Sequence, residues 1–159
     1  MRTIVTFMRD DHARLDSMFM EFQCLRARDH NAAKAAFSSF KQGLHRHIVW
    51  EEAILFPIFE QRTGLVDHGP SVVMRKEHRR ITACLTAIEE ELKEASVHGR
   101  VEQELTQTLA AHTRKEDTVL YPWIDAIISP GEGRELLIRM RTVAEELRPD
   151  YCQRGIEGR

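Results

Sequence analysis

His47-Ile48-Val49-Trp50-Glu51-Glu52-Ala53-Ile54-Leu55-Phe56-Pro57 decides the fold, because the same pattern returns as His112-Thr113-Arg114-Lys115-Glu116-Asp117-Thr118-Val119-Leu120-Tyr121-Pro122. In each copy a His is followed four residues on by a Glu and then by a second acid. Leu, an aromatic residue and Pro close each copy at matching offsets. On a helix four residues advance about 400°, so His and Glu leave from one face, roughly 6 Å apart along the axis. An imidazole nitrogen and a carboxylate oxygen set that way both reach one metal site, and two such pairs from two helices supply four ligands.

The repeat extends upstream. Glu116 minus Glu51 is 65, His112 minus His47 is 65, and His78 minus His12 is 66. The chain therefore reads as two halves, each a helix with one His followed by a helix with His-x-x-x-Glu. Repetition on this scale governs architecture. It singles out His12, His47, Glu51, His78, His112 and Glu116 as candidate metal ligands.

Hydrophobic periodicity supplies the helices. The spacing predicts a first helix over 3–28, with Met8, His12, Leu15, Phe19 and Phe22 on its apolar stripe and Arg9, Asp10, Arg14 and Glu21 toward solvent. A second, over 31–62 behind Asp29 or Asn31 as cap, carries Phe37, Phe40, Leu44, His47, Glu51, Leu55 and Ile58. Glu52 points about 100° off that stripe and is expected in solvent. Pro57 predicts a kink or loosening about one turn beyond Glu51. A third helix, over 71–96 with Ser71 as cap, carries Met74, His78, Ile81, Leu85, Ile88 and Leu92. A fourth, over 100–128, carries Val101, Leu105, Leu109, His112, Glu116, Leu120, Trp123 and Ile127, with Pro122 in the place of Pro57. A shorter fifth, over 134–147, is expected to cross the outside or one end. No strand signal intervenes. The expected fold is all-α: an up-down-up-down four-helix bundle with a short fifth C-terminal helix.

The chain of 159 residues fits one domain, read as 1–150. Ile156-Glu157-Gly158-Arg159 matches the recognition sequence of a protease used to remove tags, so 151–159 is read as a tail. Lys plus Arg is 23 against 25 for Asp plus Glu, and a net charge of −2 excludes nucleic acid and anionic membrane surfaces as evident partners. No segment approaches the roughly 20 apolar residues of a membrane span, and the N-terminus has too short an apolar run for a signal peptide. Cys24, Cys84 and Cys152 form an odd set without CxxC. That argues against a disulfide framework and for a reducing, cytoplasmic setting. Cys24 and Cys84 are expected to be small buried or half-buried residues, and Cys152 exposed.

A lone core His usually bonds a carbonyl, and a lone His-x-x-x-Glu is usually a surface pair worth a few tenths of a kcal/mol. Here all six lie on apolar stripes, where an unpaired polar group costs about 1–3 kcal/mol. The intervals of 35 (His12 to His47) and 34 (His78 to His112) set them at similar heights. His45 falls on the outer face, and His30, His68 and His98 fall in turns, so these four read as surface His. Asp117, five residues after His112, is an alternative carboxylate to Glu116. No Glu has a His three residues later, which sets aside the Glu-x-x-His di-iron scheme; the His-Glu-x-x-His zinc-protease spacing is also absent.

Nitrogen and oxygen donors without thiolate suit Fe, Mn or Zn. Two six-coordinate irons offer twelve positions. Four His, two bridging carboxylates and one bridging oxo or hydroxo group fill ten, leaving one open position per metal for a diatomic ligand or peroxide. Trp50, Phe56, Tyr121 and Trp123 are candidate walls of the pocket.

His12, His47-x-x-x-Glu51-Glu52-x-x-Leu55-Phe56-Pro57, Glu77-His78 and His112-x-x-x-Glu116-Asp117-x-x-Leu120-Tyr121-Pro122 resemble the hemerythrin-like, or HHE cation-binding, domain over about residues 5–128. The resemblance implies a four-helix bundle around a non-haem di-iron centre with two Fe ions. It also implies O2 binding, O2 or NO sensing, peroxide chemistry or repair of damaged iron–sulfur clusters. O2-carrying members have a further His one turn before the third-helix His. Met74 stands there, and its thioether suits ferric iron poorly, which turns the expectation from O2 storage toward redox or NO chemistry. The leading expectation is a cytoplasmic di-iron protein binding or sensing O2 or NO, with redox cycling. No signalling domain accompanies it in this sequence, so its output requires an unidentified protein partner. The rival is a di-iron enzyme or iron-handling protein acting in peroxide decomposition, ferrous oxidation or cluster repair. Repair proteins of this resemblance often carry an N-terminal Cys-bearing segment, which this sequence does not include. A purely structural His/Glu layer holding Zn or nothing is the third reading.

Overall fold

The computed structural model describes residues 3–94 and 99–146, and every regular element among them is helical. The expectations for residues 151–159, Cys152 and His98 lie outside the described residues. Helix α1 spans Ile4–Arg26, α2 His30–Trp50, α3 Phe56–Thr63, α4 Pro70–Lys93, α5 Arg100–Lys115, α6 Tyr121–Ile127 and α7 Pro130–Glu146. Thr3 opens α1 through a capping box with Thr6. Asp29 caps α2 by accepting from Ala32 N at 2.9 Å. At α4 the expected Ser71 cap is wrong. Gly69, at φ 101°, precedes Pro70 in the first helical position, and Ser71 is buried within the first turn. Helix α7 likewise starts at Pro130, four residues before the expected start.

The loosening expected at the prolines takes a definite form. One π turn, Glu51–Leu55, joins α2 to α3, and another, Glu116–Leu120, joins α5 to α6. Pro57 and Pro122 have no N–H to return to the carbonyl four residues back. The residue before each proline instead donates five residues back: Phe56 N–H to Glu51 O, and Tyr121 N–H to Glu116 O. A π turn holds one extra residue, so the apolar stripe beyond it advances by one position. Phe59 is fully buried where Ile58 was expected, and Ile124 is fully buried where Trp123 was expected; Trp123 is 39% exposed.

Side-chain contacts fix how the helices pair. The backbone N–H groups of Ile4 and Val5, at the start of α1, donate to the Asp125 carboxylate in α6 at 3.0 Å each. Gln23, near the end of α1, bonds Glu102 at the start of α5 at 2.9 Å. Lys41 in α2 meets Glu89 in α4 at 2.7 Å. Trp50 Nε1 donates to Met140 O in α7 at 2.6 Å. Leu136, Leu137 and Met140 thus close one end of the bundle over Trp50, Ile54 and Leu55.

Two apolar clusters fill the interior. One gathers Phe7, Met8, Trp50, Phe56, Met74 and Tyr121 with the α7 side chains. The other gathers Phe19, Phe22, Phe37, Phe40, Ile81 and Leu105. Each fully buried side chain of this size contributes about 1.5–3 kcal/mol. Met8 and Leu15 fall in opposite clusters, as do Met74 and Ile81, and Leu44 and Trp50. His12, His78 and His47 lie between them in sequence, so a polar layer divides the core. No helix among the described residues is long and apolar enough to cross a membrane.

Candidate metal centre

All six candidate residues are buried in that layer; Glu51 and Glu116 are fully so. His12 comes from α1, His47 from the last turn of α2, His78 from α4 and His112 from the last turn of α5. Each Glu is the first residue of its π turn.

The four imidazoles share one arrangement. Each Nδ1 meets a carboxylate from another helical segment: His12 with Asp117 at 3.1 Å, His47 with Asp11 at 2.9 Å, His78 with Glu52 at 2.7 Å and His112 with Glu77 at 2.9 Å. An Nδ1–H donating outward leaves the Nε2 lone pair facing inward, the outer support typical of a ligating His. The expectation of a solvated Glu52 is therefore corrected, since it is half-buried and holds His78. Asp117, the alternative to Glu116, faces the outer nitrogen of His12. Asp11 was not singled out from sequence, and Glu77 entered only within the Glu77-His78 motif, yet 77 minus 11 is 66 and 117 minus 52 is 65, the ligand offsets again. Cations back several of these acids. Arg14 Nε donates to Asp11 at 2.8 Å, Arg9 donates to the Asp117 carbonyl at 2.6 Å, and Lys115 pairs with Glu77. Arg14 was expected in solvent and is half-buried instead.

The inward atoms converge. His12 Nε2 lies 3.0 Å from His47 Nε2 and 3.3 Å from Glu116 Oε2. His112 Nε2 lies 2.8 Å from Glu116 Oε1, and His78 Nε2 lies 3.0 Å from Glu51 Oε2. Those nitrogen–carboxylate approaches are at ion-pair distance without hydrogen-bond geometry. Glu51 Oε2, both Glu116 oxygens and His78 Nε2 are buried with no hydrogen-bond partner. Buried polar atoms are almost always satisfied, and four orphans in one layer mark donors arranged for something other than one another. Two groups have donor atoms mutually within 4.8 Å: Glu51, His78, His112 and Glu116, and His12, His47 and Glu116. Glu116 belongs to both. Two carboxylates and four imidazoles fit borderline-hard divalent or trivalent cations.

Charge balance gives the same picture. Burial alone would lower the pKa of His112, but Glu116, Glu51 and Glu77 raise it to about 9. His12 and His78 also rise despite burial, through Glu116 and Glu51 respectively. Burial would raise the carboxyl of Asp11, yet His47 and Arg14 lower it to about 2. Two fully buried carboxylates call for positive charge, which protons on imidazole supply in the metal-free protein.

Tyr121, expected only as a wall, contributes a polar atom. Its hydroxyl donates to Glu51 Oε1 at 2.7 Å and lies 3.2 Å from His47 Nε2. Phe56, its counterpart in the repeat, stacks on His78 at 5.8 Å with the rings 8° apart. Trp50 packs beside His47, and Trp123 contacts Phe59. Cys24 is exposed, against expectation, and Cys84 is buried; both are free thiols.

Residues 3–124 match the family described as Hemerythrin HHE cation binding domain. A stretch of 41 residues is 51% identical to the iron-sulfur cluster repair protein YtfE of Edwardsiella ictaluri (strain 93-146). It covers 26% of this chain and 19% of that relative's length. No solved structure matches the chain. With the family match running through both His-x-x-x-Glu copies and both π turns, this chain belongs to the hemerythrin HHE cation-binding domain family.

Proposed function

We propose that this chain is a cytoplasmic non-haem di-iron protein that binds or senses O2 or NO, with redox cycling of its centre. It works as a single domain with an up-down-up-down arrangement of its four long helical segments. His12, His47 and Glu116 would hold one iron, and His78, His112, Glu51 and Glu116 would hold the other. The observation that carries this reading is the sharing of one fully buried carboxylate, Glu116, by two donor groups of otherwise distinct imidazoles. When bound, such a pair would supply reversible one-electron steps and Lewis acidity toward a small ligand.

The protein's own side chains do the rest. Asp117, Asp11, Glu52 and Glu77 orient the four rings and fix the tautomer that turns Nε2 inward. Tyr121 steadies Glu51 Oε1 and holds a proton beside His47. Phe56 shields His78. The apolar clusters on both sides keep bulk water from the layer.

A second reading, iron handling in cluster repair, is favoured by the local identity to a repair protein. Optical spectra of the iron-loaded protein under air, NO and peroxide in turn separate the two. Reversible spectral change with O2 or NO and slow peroxide loss are expected. Rapid peroxide consumption would favour an enzyme instead. Transfer of iron to an apo iron–sulfur protein, without a reversible response to either gas, would favour repair.

A further inference from the structure

Three of the four outer carboxylate contacts close seams along the bundle, and the fourth, His12 with Asp117, clasps only one end of the seam between α1 and α5. Between α1 and α2 the seam is closed by Asp11 with His47, between the first π turn and α4 by Glu52 with His78, and between α4 and α5 by Glu77 with His112. Side chains of α1 clasp α5 at one place and the second π turn at another. Gln23 and Arg26 bind Glu102 at one end, and Arg9 and His12 bind Asp117 at the other. Between these clasps lies a groove of about 690 Å³, walled by Phe19 and Met20 from α1 and by Thr106, Leu109 and Ala110 from α5.

Behind the groove is a small void of about 20 Å³, of the size that admits one water-sized guest. It adjoins His12, His47 and His112, and its other walls include Phe40, Leu44, Ile48 and Ile81. Asp16, Phe19, Leu109 and Thr113 line both spaces and so form the partition between them. Leu109 is half-buried and packs at the edge of the second apolar cluster. Asp16 is exposed and is the one acid that lines both spaces. Arg9 and Arg114 reach the outer groove but not the void.

We infer that the α1–α5 seam is the access route to the centre for a small uncharged ligand, with Leu109 as its gate and Asp16 as its filter against anions. This rests on the ligand-binding reading above. An apolar passage imposes little desolvation cost on a neutral diatomic molecule and a large one on an anion. A carboxylate at the throat adds like-charge repulsion, while Met20, 64% exposed at the rim, is flexible enough to move aside.

The test measures association of NO and of azide with the iron-loaded protein by stopped flow. Leu109→Trp is expected to slow NO association by about tenfold with iron content and the saturated spectrum unchanged, and Leu109→Ala to speed it. Asp16→Asn is expected to leave the NO rate unchanged and to speed azide by about fivefold. Unaltered NO rates in both Leu109 variants, with ligands still binding, would overturn the route while leaving the function standing. A metal-free readout keeps the two apart. Dissolved xenon is expected to shift the NMR signals of Leu15, Phe40 and Ile81 in the chelated protein, and Leu109→Trp is expected to abolish those shifts. Equal xenon shifts in wild type and Leu109→Trp, or none in wild type, would reject the passage whether or not iron binds.

Discussion

Replacing Glu116 with glutamine is expected to reduce the iron retained after gel filtration from two per chain toward none, while Asp117→Asn keeps both irons at lower affinity. Glu116 is fully buried, and its two oxygens lie 2.8 Å from His112 and 3.3 Å from His12. An amide keeps the shape but loses the charge and one of the two acceptor oxygens, so both donor groups lose their common member. Asp117 acts on the outer nitrogen of His12. Loss of such an outer carboxylate costs about 10–100-fold in metal affinity. Metal analysis with a titration of ferrous iron reads both variants. The reverse order, with Asp117→Asn the emptier protein, would restore Asp117 as the ligand. The helices are expected to survive both changes, since each apolar cluster is complete without the layer between.

Chelation is the second large perturbation. A metal that binds the folded chain at about a thousand times its dissociation constant stabilises it by about 4 kcal/mol. For a chain of this length that corresponds to a fall in Tm of about 10 °C on removal. The dependence on pH should then differ in sign between the two forms. In the metal-free protein His112 rises from its ordinary 6.5 to about 9, and His12 and His78 rise as well. A raised folded-state pKa gives stability that is complete below about 6.5 and is lost as pH climbs through about 9. Asp11, lowered from 3.8 to about 2, gives stability that is complete above its ordinary range and is lost as pH falls toward 2. The chelated protein is therefore expected to melt highest between about pH 4 and 6.5 and progressively lower above that. In the loaded protein protons and metal compete for the same imidazole nitrogens, so metal affinity rises with pH. Thermal melts with and without chelator across pH 5–9 should show the gap widening upward. Parallel curves would mean that the layer titrates independently of any metal.

Much of the candidate cluster was legible because the repeat is a geometric statement. Offsets of 65 and 66 carried His12 and His78 as well as the two His-x-x-x-Glu pairs, and all six share one layer. The outer acids were legible in principle, since Asp11 and Glu77 each precede a candidate His and Glu52 and Asp117 each follow a candidate Glu. Asp117 was weighed only as a ligand, and none of the four as an outer support, because periodicity assigns the neighbour of a stripe residue to solvent. It says nothing of a contact made across to another helix. The burial of Phe59 and Ile124 escaped for a different reason. A period of 3.6 residues assumes unbroken helix, and the π turns before Pro57 and Pro122 advance the phase by one residue. Tyr121 and Phe56 occupy the same place in the two copies, and the spacing alone does not tell that the Tyr121 hydroxyl donates to Glu51 while Phe56 stacks on His78.

The proposed pair of irons on a shared Glu116 is tested most directly by metal analysis and Mössbauer spectroscopy of protein made in iron-57 medium and purified without chelator. Two irons per chain, magnetically coupled to one another, are expected. One zinc per chain, or irons that show no coupling, would contradict the centre assigned here.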